Sequence, residues 1–170
     1  MFGAADVHYP SYGGATAALV MAEDPIFAVL ALERTVFVPE VAPYHSGEFY
    51  LRELPPLREV VDGVTGLDLL IIDGYVDLDP SGRPGLGAYV HNELGVPVIG
   101  VAKNRFAPAT HAVQVFRGSA TRPLYVTSAG VATAEAARLI QHMAGKFRLP
   151  DALRRVDALA RGHVKPVTPG

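Results

Sequence analysis

Three acidic residues lie in apolar surroundings, where a carboxylate needs a partner. Asp6 lies within the apolar stretch 4–7, Asp73 ends the apolar run 69–72, and Glu53 lies at the beginning of a predicted helix. A buried lone carboxylate is costly, so it must be paired, hydrogen-bonded or bound to a metal ion. Hard divalent cations such as Mg²⁺ prefer oxygen ligands. The three acids are therefore a candidate metal site, although Asp73 also fits an ordinary turn at the end of a strand.

Other charged residues follow the apolar runs. Lys103 ends the run 96–102, where a lysine can contact a phosphate or stabilise developing charge. A solvated strand end is the alternative for this lysine. Asp77 and Asp79 follow in a turn-rich stretch that does not match a calcium-binding loop, and they fit solvated loop positions.

The elements that must position these residues are predicted from hydrophobic spacing and turn signals. The chain opens with three strands in a meander, since the sequence Glu23-Asp24-Pro25 predicts a hairpin turn between the second and the third. Further buried strands then alternate with helices. The predicted strands are 3–9, 16–22, 26–38, 67–72, 96–102, 113–116 and 124–127, and the predicted helices are 51–61, 85–94, 133–144 and 150–160.

This order predicts an α/β fold with a mixed β-sheet flanked by helices, the ribonuclease H-like architecture. Strands that alternate with helices imply a parallel element joined to the opening meander. Two prolines are expected in the first turn of the first helix, and Thr133 is expected to cap the third. Asp6 and Asp73 would lie on adjacent strands, which weakens the interpretation of Asp73 as a simple turn residue.

Composition limits the class of protein. The chain has 170 residues, 49% of them hydrophobic, which suits one domain with a sizeable core. No apolar run reaches the length of a membrane span, and no secretion signal is recognised, so we expect a cytoplasmic protein. Without cysteine there is no disulfide and no thiolate ligand or nucleophile. We expect a single domain over 1–165 and a loose tail over 166–170.

Charge is unevenly distributed along the chain. Residues 1–100 carry 4 Lys and Arg against 14 Asp and Glu, and residues 101–170 carry 11 against 3. The net charges of −10 and +8 describe either two halves that neutralise each other in the fold, or an acidic cation site beside a basic wall that binds an anion.

Six segments in order along most of the chain resemble the endonuclease V family, whose members nick nucleic acid near deoxyinosine. The first is Ala-Asp-Val-His-Tyr at 5–9, and the fourth, Val-Pro-Val-Ile-Gly-Val-Ala-Lys at 96–103, is close to the family's Ile-Pro-Thr-Ile-Gly-Val-Ala-Lys. The second is similar to the family's wedge motif. The remaining segments are 43–53, 69–85, 123–126 and 147–157.

The resemblance implies roles for individual residues. Asp6, Asp73 and Glu53 would hold Mg²⁺, for which Mn²⁺ could substitute, and Lys103 would lie by the phosphate. Asp157 matches a further acid near the site. The implied base-binding residues are Tyr44 in the strand-separating wedge, Gly47 and Phe49 in the pocket for the displaced base, and Gly74 beside it.

The chain departs from the family pattern at three histidine positions, taken as Tyr75, Asp79 and Gly130. Asp79 is expected to face the centre in place of the second histidine. Ser46 replaces a wedge proline. The carboxylates and the lysine are retained, so metal binding is expected to persist with reduced catalysis.

The function expected from the sequence is metal-dependent hydrolysis of a phosphodiester bond near deoxyinosine or another deaminated base, in DNA repair. The partner is nucleic acid, either DNA or RNA; no membrane is involved, and a monomer is expected. Two alternatives are a binding protein that has lost catalysis, and a metal-dependent hydrolase of a small phosphorylated substrate, which would need a closed pocket.

Overall fold

The computed structural model of the protein describes residues 1–43, 45 and 48–167. Seven strands and four helices are formed within these residues. The strands are β1 (Phe2–His8), β2 (Ala15–Ala22), β3 (Leu32–Val38), β4 (Leu69–Asp73), β5 (Val98–Ala102), β6 (Val113–Val115) and β7 (Leu124–Ala129). The helices are α1 (Phe49–Val61), α2 (Leu86–Leu94), α3 (Thr133–His142) and α4 (Asp151–Ala160).

All seven strands form one mixed sheet in the order β3-β2-β1-β4-β5-β7-β6. The meander β1-β2-β3 is antiparallel, whereas β1, β4 and β5 run parallel. β7 returns antiparallel to β5 and pairs with β6 at the far edge. The predicted ribonuclease H-like α/β fold is confirmed, and with it the adjacency of β1 and β4.

The sheet has an apolar core on each face, as expected for strands covered by helices. Ala4, Ala18 and Ile71 point towards α3 and α4, while Ala5 and Leu70, on the alternate positions, point towards α1 and α2. Because successive side chains of a strand alternate between faces, Asp6 and His8 share the face of Ala4.

The connection between β2 and β3 is longer than predicted. Residues 26–31, which the apolar composition placed in a strand, form a loop. The Asp24 carboxylate accepts hydrogen bonds from the amides of Ile26 and Ala28, and Phe27 takes a positive φ of 56°. These contacts fold the backbone back on itself, so β3 begins only at Leu32.

Two helix starts also differ from prediction. α1 begins at Phe49, so Pro55 and Pro56 lie inside the helix and not in its first turn. α3 is preceded by Ala132 as its N-cap residue. Thr133 is the first helical residue, and its hydroxyl bonds with that of Ser128 at 3.0 Å.

The connection between α3 and α4 is held by one buried arginine. Arg117, 5% exposed, donates to the carbonyl oxygens of Met143, Gly145 (3.0 Å) and Phe147 (2.9 Å). The segment 143–150 contains no regular element. The guanidinium therefore supplies the donors that a helix or strand would otherwise supply.

At the C-terminal end, the amide of Val167 donates to Glu33 at 2.7 Å, and residues 168–170 lie outside the described residues. Among the helices of the described chain, none has the length and hydrophobicity needed to cross a membrane.

Candidate metal centre and nucleic-acid groove

The predicted acids meet where β1 and β4 run side by side. In the parallel register Ala5 faces Ile72, which brings the next residues, Asp6 and Asp73, beside each other. Glu53 enters from α1. These acids line one groove of about 270 Å³, together with Lys103 and Asp157. We name it the acid groove.

Within the described part of the chain, Asp6 and Glu53 form no salt bridge. Burial, followed by the charge of Asp73, raises the pKa of Asp6 to about 7, although Asp6 accepts a hydrogen bond from the Val7 amide at 2.9 Å. Burial, followed by the charge of Asp6, raises the pKa of Glu53 to about 8. The Glu53 residue is 9% exposed. Desolvation and like charge thus favour the protonated forms until a cation arrives.

Asp73 is the acid that has a cationic partner. The Lys103 Nζ lies 2.8 Å from Asp73 Oδ2, and the two side chains are 38% and 40% exposed. Partial burial lowers the pKa of Lys103, but the hydrogen bond and charge of Asp73, with help from Asp6 and Asp157, outweigh it and raise the pKa overall. The ammonium is therefore charged and reachable from solvent.

The acid groove suits a hard divalent cation by charge and donor type. Its candidate ligands are carboxylate oxygens, which Mg²⁺ and Mn²⁺ accept. Across residues 1–43, 45 and 48–167, no three His, Asp or Glu side chains already converge on a single cation position. Asp73 Oδ2 contacts Lys103, and Asp6 Oδ1 accepts a hydrogen bond from the Val7 amide, so each of the two acids has one oxygen already engaged.

Asp157 closes the groove from α4. Its carboxylate accepts a hydrogen bond from Arg161 Nε at 3.0 Å, one helical turn away, and its charge contributes to the raised pKa of Asp6. Behind Asp6 and Asp73 lies a small cavity of about 10 Å³, too small for a substrate.

Of the residues expected to bind the base, two are placed in the acid groove. Phe49 is 45% exposed at the start of α1 and lines the groove, as does Gly74. Gly74 has a φ of 126°, which strains any residue with a side chain. Tyr44 and Gly47, like Ser46, lie outside the described residues.

Asp79 does not face the centre, so that expectation is corrected. Its Oδ1 accepts hydrogen bonds from the amide and hydroxyl of Ser81 at 2.9 and 2.5 Å, and its Oδ2 pairs with Arg83 at 3.3 Å. The hydroxyl of Ser81 is the main cause that lowers the pKa of Asp79. This carboxylate organises its own turn, as Asp side chains that bond the backbone two residues on commonly do.

Tyr75, at another of the histidine positions, fastens the loop after Lys103. Its hydroxyl donates to the Asn104 carbonyl at 2.8 Å and accepts from the Phe106 amide at 2.9 Å. Arg148 donates to the carbonyl of Lys103 itself and to that of Pro123 at 2.7 Å. The backbone around Lys103 is therefore held from two sides.

Gly130 is the third position at which the family has a histidine, and its prediction as a position at the site is wrong. Ala129 pairs with Val98, and a side chain built on Gly130 would meet His91 and Pro97. Lys103 lies five residues beyond Val98, which is roughly 16 Å along an extended strand. A histidine at Gly130 would therefore lie at the opposite end of the sheet from the acids.

Sequence reasoning missed two residues that line the acid groove, His8 and Arg161. Strand alternation could have found His8, two residues after Asp6, and helical spacing could have found Arg161, four residues after Asp157. It also missed Arg52, whose guanidinium stacks over the Tyr9 ring at 3.9 Å beside Glu53.

Comparison with known proteins agrees with this architecture. The family model of endonuclease V matches residues 1–122. The endonuclease V of Azotobacter vinelandii is 33% identical over 178 residues, covering 91% of this chain and 79% of the relative. That of Thermococcus kodakarensis is 31% identical, covering 95% of this chain and 78% of the relative.

Solved structures agree as well. The endonuclease V of Streptomyces avermitilis has a TM-score of 0.79 at 26% identity, covering 95% of this chain and 80% of the other. The enzyme of Ciona intestinalis, solved with a 23mer DNA containing an inosine followed by a ribo-adenosine, has a TM-score of 0.81 at 17% identity. That likeness covers 95% of this chain and 84% of the other, and it shows the shared fold.

Proposed function

Because the chain belongs to the endonuclease V family, we propose that it is a metal-dependent endonuclease that cuts DNA near deoxyinosine or another deaminated base, in DNA repair. The observation that carries this proposal is the meeting of Asp6, Glu53 and Asp73 with Lys103 in one groove open to solvent. Such a set provides anionic ligands for a cation and a cation for a phosphate.

In this proposal Asp6, Glu53 and Asp73 hold Mg²⁺, with Mn²⁺ as a substitute. The bound ion supplies water activation and neutralises charge that develops on the phosphate oxygens. Lys103 binds the phosphate beside the scissile bond, and the contacts from Tyr75 and Arg148 hold its backbone in place. Asp157 keeps Arg161 at the margin of the groove.

The displaced base is recognised at the wall of the acid groove that Phe49 and Gly74 form. Turning a base out of the stack costs least when it is mispaired, as deaminated bases are. Phe49 offers an aromatic surface and Gly74 leaves room beside it. By resemblance to the family, Tyr44 separates the strands and Gly47 completes the pocket.

The test is strand nicking on matched oligonucleotides that contain inosine or adenine at one position, in DNA and RNA versions, with Mg²⁺, Mn²⁺ or EDTA. We expect cation-dependent nicking of the inosine strand that Asp6→Ala abolishes. Asp62→Ala, which removes an exposed acid at the opposite end of α1, is the matched control and should nick normally.

A second candidate is a nucleic-acid-binding protein without catalysis. The observation that favours it is that Tyr75 and Asp79, at two of the histidine positions, make contacts outside the acid groove. Tight binding of inosine DNA with no nicking, unchanged by Asp73→Asn, would establish it. If nicking occurs, we expect it to be slower than in relatives that retain the histidines.

We propose that the protein is a monomer, which sedimentation can test. A hydrolase of a small phosphorylated substrate is disfavoured, because it would need a closed pocket, whereas the acids line a groove and the space behind them is only about 10 Å³.

A further inference from the structure

A row of paired residues extends the active face across the meander. His8 pairs with Thr16, and Thr16 pairs with Phe37. Directly paired residues of neighbouring strands point to the same side, and His8 shares that side with Asp6. The row therefore leads from the acid groove to the edge strand on one face of the sheet.

This row is left open where α4 ends. α4 covers the face as far as Ala160, and beyond it lies a second groove of about 290 Å³. We name it the side groove; it is lined by His8, Tyr12, Thr16 and Arg161, among others. Its size is near the lower end for small-ligand sites in proteins.

Two exposed aromatic rings flank the side groove. Tyr12 is 79% exposed and Phe37 is 50% exposed, and their ring centroids lie 6.3 Å apart at 43°. Gly14 makes this arrangement possible, because a Cβ there would lie 2.7 Å from the Phe37 ring and 2.7 Å from the Val38 carbonyl oxygen. The turn thus lets Phe37 lie over its backbone, and the pair forms an aromatic ledge.

The two grooves share residues. His8 and Arg161 line both of them. Arg161 donates a hydrogen bond from Nε to Asp157, and the Arg161 side chain is 45% exposed. Within the described residues, its other guanidinium nitrogens make no hydrogen bond, so they are available to a phosphate.

We propose that the side groove is a single-strand nucleotide subsite, in which a base stacks on the aromatic ledge and Arg161 binds a phosphate between the two grooves. The proposal rests on the proposed function, since it takes the strand held at the acid groove as the one that continues into the side groove. Continuity with the acid groove and the free donors of Arg161 favour a nucleic-acid strand as the occupant. Because any base can stack on an aromatic ring, the affinity at this subsite should depend on the length of the strand and not on its base sequence.

The test combines photo-crosslinking and affinity on single-stranded inosine oligonucleotides, with EDTA present so that no strand is cut. A 5-iodouracil is placed one to five nucleotides from the inosine on either side, because this probe cross-links to stacked aromatic rings. We expect a cross-link to Tyr12 at one offset. Tyr12→Ala should lose it and weaken affinity about 5- to 100-fold, whereas Tyr12→Phe should keep both.

Two controls make the result specific. Phe116→Ala removes another exposed ring, 51% exposed and just after β6 at the opposite edge of the sheet, and should change nothing. An oligonucleotide that ends before the cross-linked offset should bind the native protein and Tyr12→Ala equally well.

Equal affinity of the native protein and Tyr12→Ala for every length, without a cross-link to Tyr12, would overturn the proposal. This failure is separable from failure of the proposed function. In one case inosine strands are nicked while Tyr12 is inert; in the other the cross-link persists while no nicking occurs.

Discussion

The carboxylate of Glu33 and the carboxylates of the acid groove differ in how their charge is balanced. Glu33 on β3 has a side chain that is 7% exposed, and both of its oxygens bind Arg155, at 2.7 and 2.8 Å. These hydrogen bonds lower the pKa of Glu33. Asp6 is partly buried and Glu53 is buried, yet burial raises the pKa of each, reinforced by the charge of Asp73 at Asp6 and by the charges of Asp6 and Asp73 at Glu53.

The contrast is sharpened by α4, which contributes to both sites. Arg155 neutralises Glu33, while Asp157, two residues later, adds negative charge near Asp6. One helix therefore completes a structural ion pair and increases the charge imbalance of the acid groove. The difference indicates that Glu33 contributes to stability, and it supports the proposal that the acids of the acid groove ionise when they bind a cation.

The largest effect is expected for Glu53→Gln. We expect nicking to fall by about 100- to 1,000-fold, the usual loss when one charge-stabilising group is removed. The free energy of unfolding of the metal-free protein at pH 8 should increase, because one buried like charge is gone. Nicking rates and urea denaturation check this. A destabilised variant would mean that Glu53 is a structural residue like Glu33.

The pH dependence of metal-free stability should come next in size. In the unfolded chain these carboxyls titrate near pH 4, whereas Asp6 and Glu53 titrate at about 7 and 8 in the native protein. Between pH 4 and 8 the native state holds protons that the unfolded state has released, so stability falls as pH rises and levels off above pH 8. Each tenfold difference in proton affinity is worth about 1.4 kcal/mol.

Thermal unfolding in EDTA from pH 5 to 9 measures this slope. Glu53→Gln should flatten it, and Mg²⁺ should restore stability above pH 7, where the acids can ionise to bind it. A flat profile for the native protein in EDTA would show that the two acids are not held protonated.

Glu33→Gln is the matched substitution at the other site, and the opposite pattern is expected. It leaves Arg155 without a counter-charge, so the free energy of unfolding should fall by about 1–3 kcal/mol. The nicking rate per folded molecule should stay within about twofold, since Glu33 lies on the edge strand. Loss of nicking with unchanged stability would contradict the distinction between a stabilising Glu33 and the functional acids of the acid groove.

The smallest effect is expected for Tyr75→Phe, which keeps the ring and removes the hydroxyl that joins Asn104 and Phe106. We expect a loss of about 1 kcal/mol in stability and a several-fold lower nicking rate, since the loop beside Lys103 is less well held. The effect on rate should disappear in a Lys103→Ala background. Trypsin cleavage after Arg105, within that loop, should become faster.

The position of the acids could be predicted because the signal is local. An acid inside or at the end of an apolar strand is conspicuous, and the order of elements places β1 beside β4. The misplacement of Gly130 has a different cause, because the register of β7 against β5 depends on residues far apart in the sequence. The prediction that Asp79 faces the centre was wrong because residue spacing does not distinguish a carboxylate that accepts hydrogen bonds within its own turn from one that points into a groove.

The charge division between the two halves of the sequence is partly structural. Arg155 is committed to Glu33, while Arg117 and Arg148 donate to main-chain carbonyls. Lys103 and Arg161 remain beside the acid groove, each paired with one of its acids. These ion pairs fit the interpretation in which the −10 and +8 halves neutralise each other, while the cation site beside an anion-binding wall stays a prediction that rests on Lys103 and Arg161.

Arg117 has a consequence for how this chain tolerates sequence change. The guanidinium binds carbonyl oxygens of residues 143, 145 and 147, which every amino acid possesses, and none of their side chains. Gly145 is fixed for its own reason, because its φ is 105° and a Cβ there would lie 2.5 Å from the Asp151 carboxylate, but the arginine contacts themselves set no requirement on the side chains of the connection. The constraint falls instead on Arg117, which lysine, with one ammonium in place of a five-donor fork, cannot replace.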